Sequence, residues 1–150
     1  LRCKGRELPV HRAVFAAASP VFERMWESGM REAESAAVEI EDTTPEVLEA
    51  MVRYIYTSSL PEDDLDPAPL FRLARKYGLE ALADATGRRM LEGLTQQTAI
   101  EWARVVFVHA DSGDSKAASL WEAMYTKLTE DPVLLKATLQ GLIRGSGSVQ

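Results

Sequence analysis

Helix starts written as a capping side chain followed directly by proline constrain this chain more than any other feature. They occur at Ser19-Pro20, Thr44-Pro45 and Asp131-Pro132. The capping oxygen accepts from an amide that the first helical turn leaves without a partner, and proline gives up an amide that has none to lose. Proline also pushes the residue before it out of the α region. Each pair therefore ends one element and starts a helix at a fixed point, so the chain is divided into short helices.

Periodicity fills the intervals. Val14, Phe15, Ala17 and Ala18 suit a short helix ending before Pro20; Val21, Phe22, Met25 and Trp26 share a face of the next, with Gly29 placed to end it. The Thr44 helix has Glu46 in its positive first turn and the stripe Val47, Leu48, Met51, Val52, Ile55. Ser58 to Pro69 is polar, acidic and proline-bearing, and reads as a loop. Further stripes are Leu70, Leu73, Ala74, Tyr77 (stopped by Gly78), then Leu79, Leu82, Ala83, Thr86, Met90, then Ile100, Ala103, Phe107, Ala110. Leu120, Trp121, Met124 and Leu128 follow the Ser112-Gly113-Asp114 turn, and the Asp131 helix turns Leu135 and Leu139 inward.

Strands are few. Leu1 to Cys3 and Arg6 to Leu8 fit a hairpin turning at Lys4-Gly5, and Val38 and Ile40 alternate with Glu39 and Glu41 as in a short half-buried strand. The chain opens partway along that first strand and reads as part of something longer. The fold class is α+β, shading into all-α. The tail from Gly145 to Gln150 is expected to be disordered.

Composition narrows the function. The 150 residues suffice for one ordinary domain, and a single cysteine forms no internal disulfide, which suits a reducing compartment. The formal charge of −6 argues against general nucleic-acid binding, and no run approaches the ~18 apolar residues of a membrane span. Twelve acidic residues lie from Glu27 to Asp66 against Arg31 and Arg53 alone, a belt that is a solvated face or a means of steering a basic partner. His11 and His109 stand far apart in sequence, Cys3 has no cationic cluster beside it, and no phosphate-loop, zinc-helix or nucleophile-elbow motif occurs. No catalytic, metal or cofactor-binding residues are assigned. Trp26, Trp102 and Trp121 lie on helical stripes as core anchors. Binding is the remaining function.

One stretch names a family. His11-Arg12-Ala13-Val14-Phe15-Ala16-Ala17-Ala18-Ser19-Pro20-Val21-Phe22 resembles the segment HKAVLAARSPVF of BTB/POZ domains. The resemblance continues, at matching spacing, through Met30-Arg31-Glu32-Ala33-Glu34-Ser35, Val38-Glu39-Ile40, Pro45 to Thr57, and Leu70 to Glu80. It is nearest to the MATH-BTB group that includes the speckle-type POZ protein. It implies a BTB/POZ domain over residues 1–94 with its first strand and helix missing, then a BACK-like helical extension over 95–144. The implied role is a non-enzymatic adaptor that docks onto cullin-3, and forms a homodimer where the missing N-terminal segment is present, so that another domain presents substrates for ubiquitination in the nucleus or cytoplasm.

The family's docking signature, hydrophobic-x-Glu after the second helix, is matched by Met30-Arg31-Glu32. From the residues alone, Met30 folding back near Trp26 with Glu32 solvated is the favoured reading of the pair; the resemblance turns the balance to docking. The resemblance also places Val14 at the dimer interface. The competing function is self-association or co-regulator recruitment without a ligase.

Overall fold

The computed structural model describes residues 1–27, 37–61 and 65–145. These form two compact units, Leu1–Thr86 and Gly87–Gln150.

The first unit begins with the expected hairpin. Strands β1 (Arg2–Cys3) and β2 (Arg6–Glu7) pair antiparallel, Arg2 opposite Glu7 and Cys3 opposite Arg6. Lys4 and Gly5 turn the chain at φ of 47° and 82°, the left-handed pair that a two-residue hairpin requires. The strand expected at Val38 to Ile40 is reduced to a single parallel bridge between Arg2 and Glu39. The Arg2 amide donates to Val38 O and the Ile40 amide to Arg2 O, each at 2.8 Å. Val38 and Ile40 are buried and Glu39 exposed, so the predicted alternation is present without a full ladder.

Helices α1 (Arg12–Ala18) and α2 (Pro20–Glu27) meet at Ser19. Its hydroxyl accepts from the Phe22 amide at 3.1 Å and donates to the Tyr77 carbonyl. Phe15 and Phe22 are fully buried, and Tyr77 stacks on Phe22 with centroids 4.7 Å apart. Gly78, at φ 64°, lies where an added Cβ would sit 3.2 Å from Pro20 Cγ; glycine thus serves both the turn and the close approach.

Helix α3 (Pro45–Thr57) starts at Thr44, whose side chain accepts from the Val47 amide, and buries Val47, Leu48, Ala50 and Met51. Helix α4 (Pro67–Lys76) starts earlier than the periodicity predicts. Asp66 caps it, accepting from the Ala68 amide at 3.0 Å, so Pro67 and Pro69 belong to its first turn rather than to a loop. Helix α5 (Glu80–Glu92) follows, and the boundary between the two units falls within it.

The second unit contains α6 (Ala99–Asp111), α7 (Ser115–Glu130) and α8 (Pro132–Gly145). Asp114 caps α7 through the amides of Lys116 and Ala117, and Asp131 caps α8 through those of Val133 and Leu134. Lys127 Nζ donates to Leu91 O at 2.6 Å, satisfying a carbonyl at the end of α5. The buried residues include Trp102, Val106, Met124, Leu128 and Leu134.

Two expectations fail here. The buried face of α6 carries Ala99, Trp102, Ala103 and Val106, while Phe107 is 47% exposed. On α8 the inward residue is Leu134, and Leu139 is 52% exposed. Both helices are apolar on more than one side, so neighbouring helices rather than the pattern decide which side is covered.

Candidate functional site

The front of the first unit is built from the hairpin and α1. Phe15 points into the core, and Val14 beside it remains 36% exposed. The start of α1 is held by Tyr56 on α3. The Tyr56 hydroxyl accepts from the His11 backbone amide and meets His11 Nδ1, both at 2.9 Å. His11 thus positions a helix; it does not face a nucleophile in this arrangement.

A cleft of about 600 Å³ opens beside α1, lined among others by Leu1, Arg2, Leu8, Val10, Arg12, Trp26 and Val38. Its walls mix carbon with charge: Arg2, Glu7 and Arg12 line it, with Arg2 ion-paired to Glu7. The Arg12 guanidinium lies 5.9 Å from the centroid of the Trp26 ring, within cation–π range. Trp26 stacks on Phe22 at 5.4 Å, and its indole N–H is buried with no hydrogen-bond partner among the described residues. Such a cleft is suited to holding a chain segment with both apolar and polar side chains. Sequence reasoning singled out Val14 and missed the cleft, because Leu8, Val10 and Trp26 come together only through the hairpin.

Other candidates resolve into structure. Cys3 is 1% exposed and its thiol meets the Thr43 carbonyl at 3.4 Å. Trp102 is buried, whereas Trp26 and Trp121 are half-buried. Met30 and Glu32 lie outside the described residues, so the structure does not bring them together with Val14 or apart from it. Among the described residues no group of three His, Cys, Asp or Glu side chains is arranged as metal ligands. No described helix is long and apolar enough to cross a membrane.

The clearest electrostatic feature is a surface pair. Lys76 Nζ lies 2.6 Å from Asp42 Oδ2, and its hydrogen bond holds the Asp42 carboxyl below the usual carboxylate range. The same bond raises Lys76 above its ordinary value, and burial raises the Tyr77 hydroxyl. These groups brace α4 against the segment before α3.

Comparison with known proteins agrees with this geometry. A family model described as the BTB/POZ domain matches residues 1–93. Among solved structures, the BTB domain of zebrafish PATZ1 is similar over 59% of this chain and 70% of that one, with 21% identity and a TM-score of 0.52. At that identity the likeness is one of fold: a small sheet with a helix cluster, α+β, to which this chain adds further helices. With well over half of its length matched, from the hairpin to the end of α5, the chain belongs to the BTB/POZ domain family, whose members are protein-interaction modules.

Proposed function

We propose that the chain is the interaction module of a substrate adaptor for a cullin-3-type ubiquitin ligase, of the MATH-BTB kind, acting without catalytic chemistry of its own. The observation that carries the reading is Met30-Arg31-Glu32, a hydrophobic-x-Glu sequence following α2 in a BTB/POZ chain. Unbranched Met30 adapts to an apolar groove on the scaffold, and Glu32 adds one charge-assisted contact beside it. In this reading residues 95–144 are a BACK-like extension of a BTB domain over 1–94. A domain outside this sequence holds the substrate, and assembly raises the substrate's local concentration at the ligase. The working compartment is the nucleus or cytoplasm.

The test is calorimetric titration of the cullin-3 amino-terminal domain into the chain and into its Met30→Ala/Glu32→Ala variant. Binding weakened by about tenfold or more in the variant is expected for loss of a central anchor. Absent binding, or binding equal in both proteins, overturns the assignment.

A second reading, self-association or co-regulator recruitment without a ligase, is favoured by the exposure of Val14 on α1 beside an open cleft. It is selected if sedimentation shows a dimer that Val14→Asp converts to monomer while neither form binds cullin-3.

A further inference from the structure

The helical unit from Gly87 onward carries an open groove of about 350 Å³ between α6, α7 and α8. On α6, Ile100, Ala103, Arg104 and Phe107 line it at i, i+3, i+4 and i+7, one side of the helix. Trp121 and Tyr125 face it from α7, Leu135 and Leu139 from α8. Phe107 meets Trp121 edge-on at 5.1 Å, and Trp121 tilts against Tyr125 at 6.1 Å. The wall continues past the groove. Leu139 is 52% exposed and Ile143, four residues further along α8, is 73% exposed. Leu135, Leu139 and Ile143 thus mark about 12 Å of helix, a little over two turns.

Polarity is sparse here and of one sign. The hydroxyls of Thr129 and Thr138 are spent on backbone carbonyls of their own helices. Arg104 is the one charged side chain lining the groove, is exposed, and has no ion pair among the described residues. A guanidinium beside a water-poor carbon surface matches a carboxylate in a bidentate fork. A twofold dimer through this face would set two copies of Arg104 in an interface whose described lining offers no carboxylate. The open length, with exposed Ile143 continuing the α8 wall, suits a helix rather than an enclosed small molecule.

We propose that this groove docks an acidic amphipathic helix of a partner protein, about two turns long. Its apolar side chains lie at i, i+3 or i+4, and i+7, with a Glu or Asp beside them for Arg104. This surface is separate in sequence from Met30 and Glu32 and does not depend on the cullin reading.

The probe is a pair of synthetic 14-residue helical peptides with Leu at those three positions, one with Glu and one with Lys at the position beside them. Binding is read by quenching of Trp121, with Trp121→Phe identifying the signal. The Glu peptide is expected to bind about tenfold tighter than the Lys peptide at low salt. Arg104→Gln abolishes that preference, and Leu139→Asp weakens both peptides by about tenfold or more while leaving the helical circular dichroism intact. If Leu139→Asp disturbs the fold, Leu139→Gln takes its place. Equal binding of the two peptides, a preference that survives Arg104→Gln, or no binding at millimolar peptide overturns the proposal. So does a wild-type dimer, in sedimentation, that Leu139→Asp dissociates.

Discussion

Ser19 closes α1 and opens α2 with one side chain. Its amide donates to Phe15 O at 2.9 Å, its hydroxyl accepts from Phe22 N, and the hydroxyl proton goes to Tyr77 O. All of this is buried, so Ser19→Ala leaves an amide and a carbonyl without partners in a place water does not reach. We expect a loss of about 2 kcal/mol, summing a lost cap and a lost buried hydrogen bond, read from urea unfolding; an unaltered midpoint contradicts the account. The Asp42–Lys76 pair is half exposed and correspondingly weak, but its pH signature has a definite sign. A carboxylate held low stabilises the fold above its unfolded titration, and that contribution disappears as pH falls through the lowered folded value. The gap in melting temperature between the natural chain and Asp42→Asn is therefore expected at neutral pH and closes in acid. Lys76→Met returns the Asp42 carboxyl titration, followed by NMR, upward to the usual range. Ser19 as a cap and Cys3 as a core residue were legible in the sequence, since both are local or compositional facts. The Tyr56–His11 contact was not, because it joins residues 45 apart.

Elements were legible wherever their signals were local. Capping bonds occur at Ser19, Thr44 and Asp131 before proline, as the sequence predicts. Asp66-Pro67 is a fourth instance of the same signal. It is hidden in an acidic stretch with several prolines, where proline reads more readily as a breaker than as a first-turn residue. Faces were less legible than positions. Ile100 and Phe107 do share a side of α6, yet that side meets the groove while Trp102 and Val106 are buried. Packing of α8 against α6 turns on Gly141. A Cβ added there would stand 1.7 Å from Ile100 Cδ1 and 2.9 Å from its Cγ1. Alanine in a helix interior is worth about 1 kcal/mol over glycine, but here it collides with the end of Ile100. Gly141→Ala is therefore expected to gain that amount only in an Ile100→Ala background, and to be neutral or destabilising in the natural chain. A double-mutant cycle by chemical denaturation measures the coupling; additive effects contradict the close approach.

The whole molecule divides its charge as it divides its fold. Residues 87–150 balance seven basic against seven acidic side chains, so the net −6 belongs to residues 1–86. The family was legible from an ordered set of short matches over residues 1–91, and the family match extends over 1–93. The cleft by Trp26 and the groove by Arg104 were not, because each is assembled from elements that no local pattern joins. The central claim, docking onto a cullin-3 scaffold through the segment after α2, is tested most directly by backbone hydrogen exchange of the chain with and without the cullin-3 amino-terminal domain. The account predicts slowed exchange in the complex centred on Gly29 to Glu34, and its loss in Met30→Ala/Glu32→Ala. Unchanged exchange across that segment, with protection elsewhere or nowhere, contradicts it.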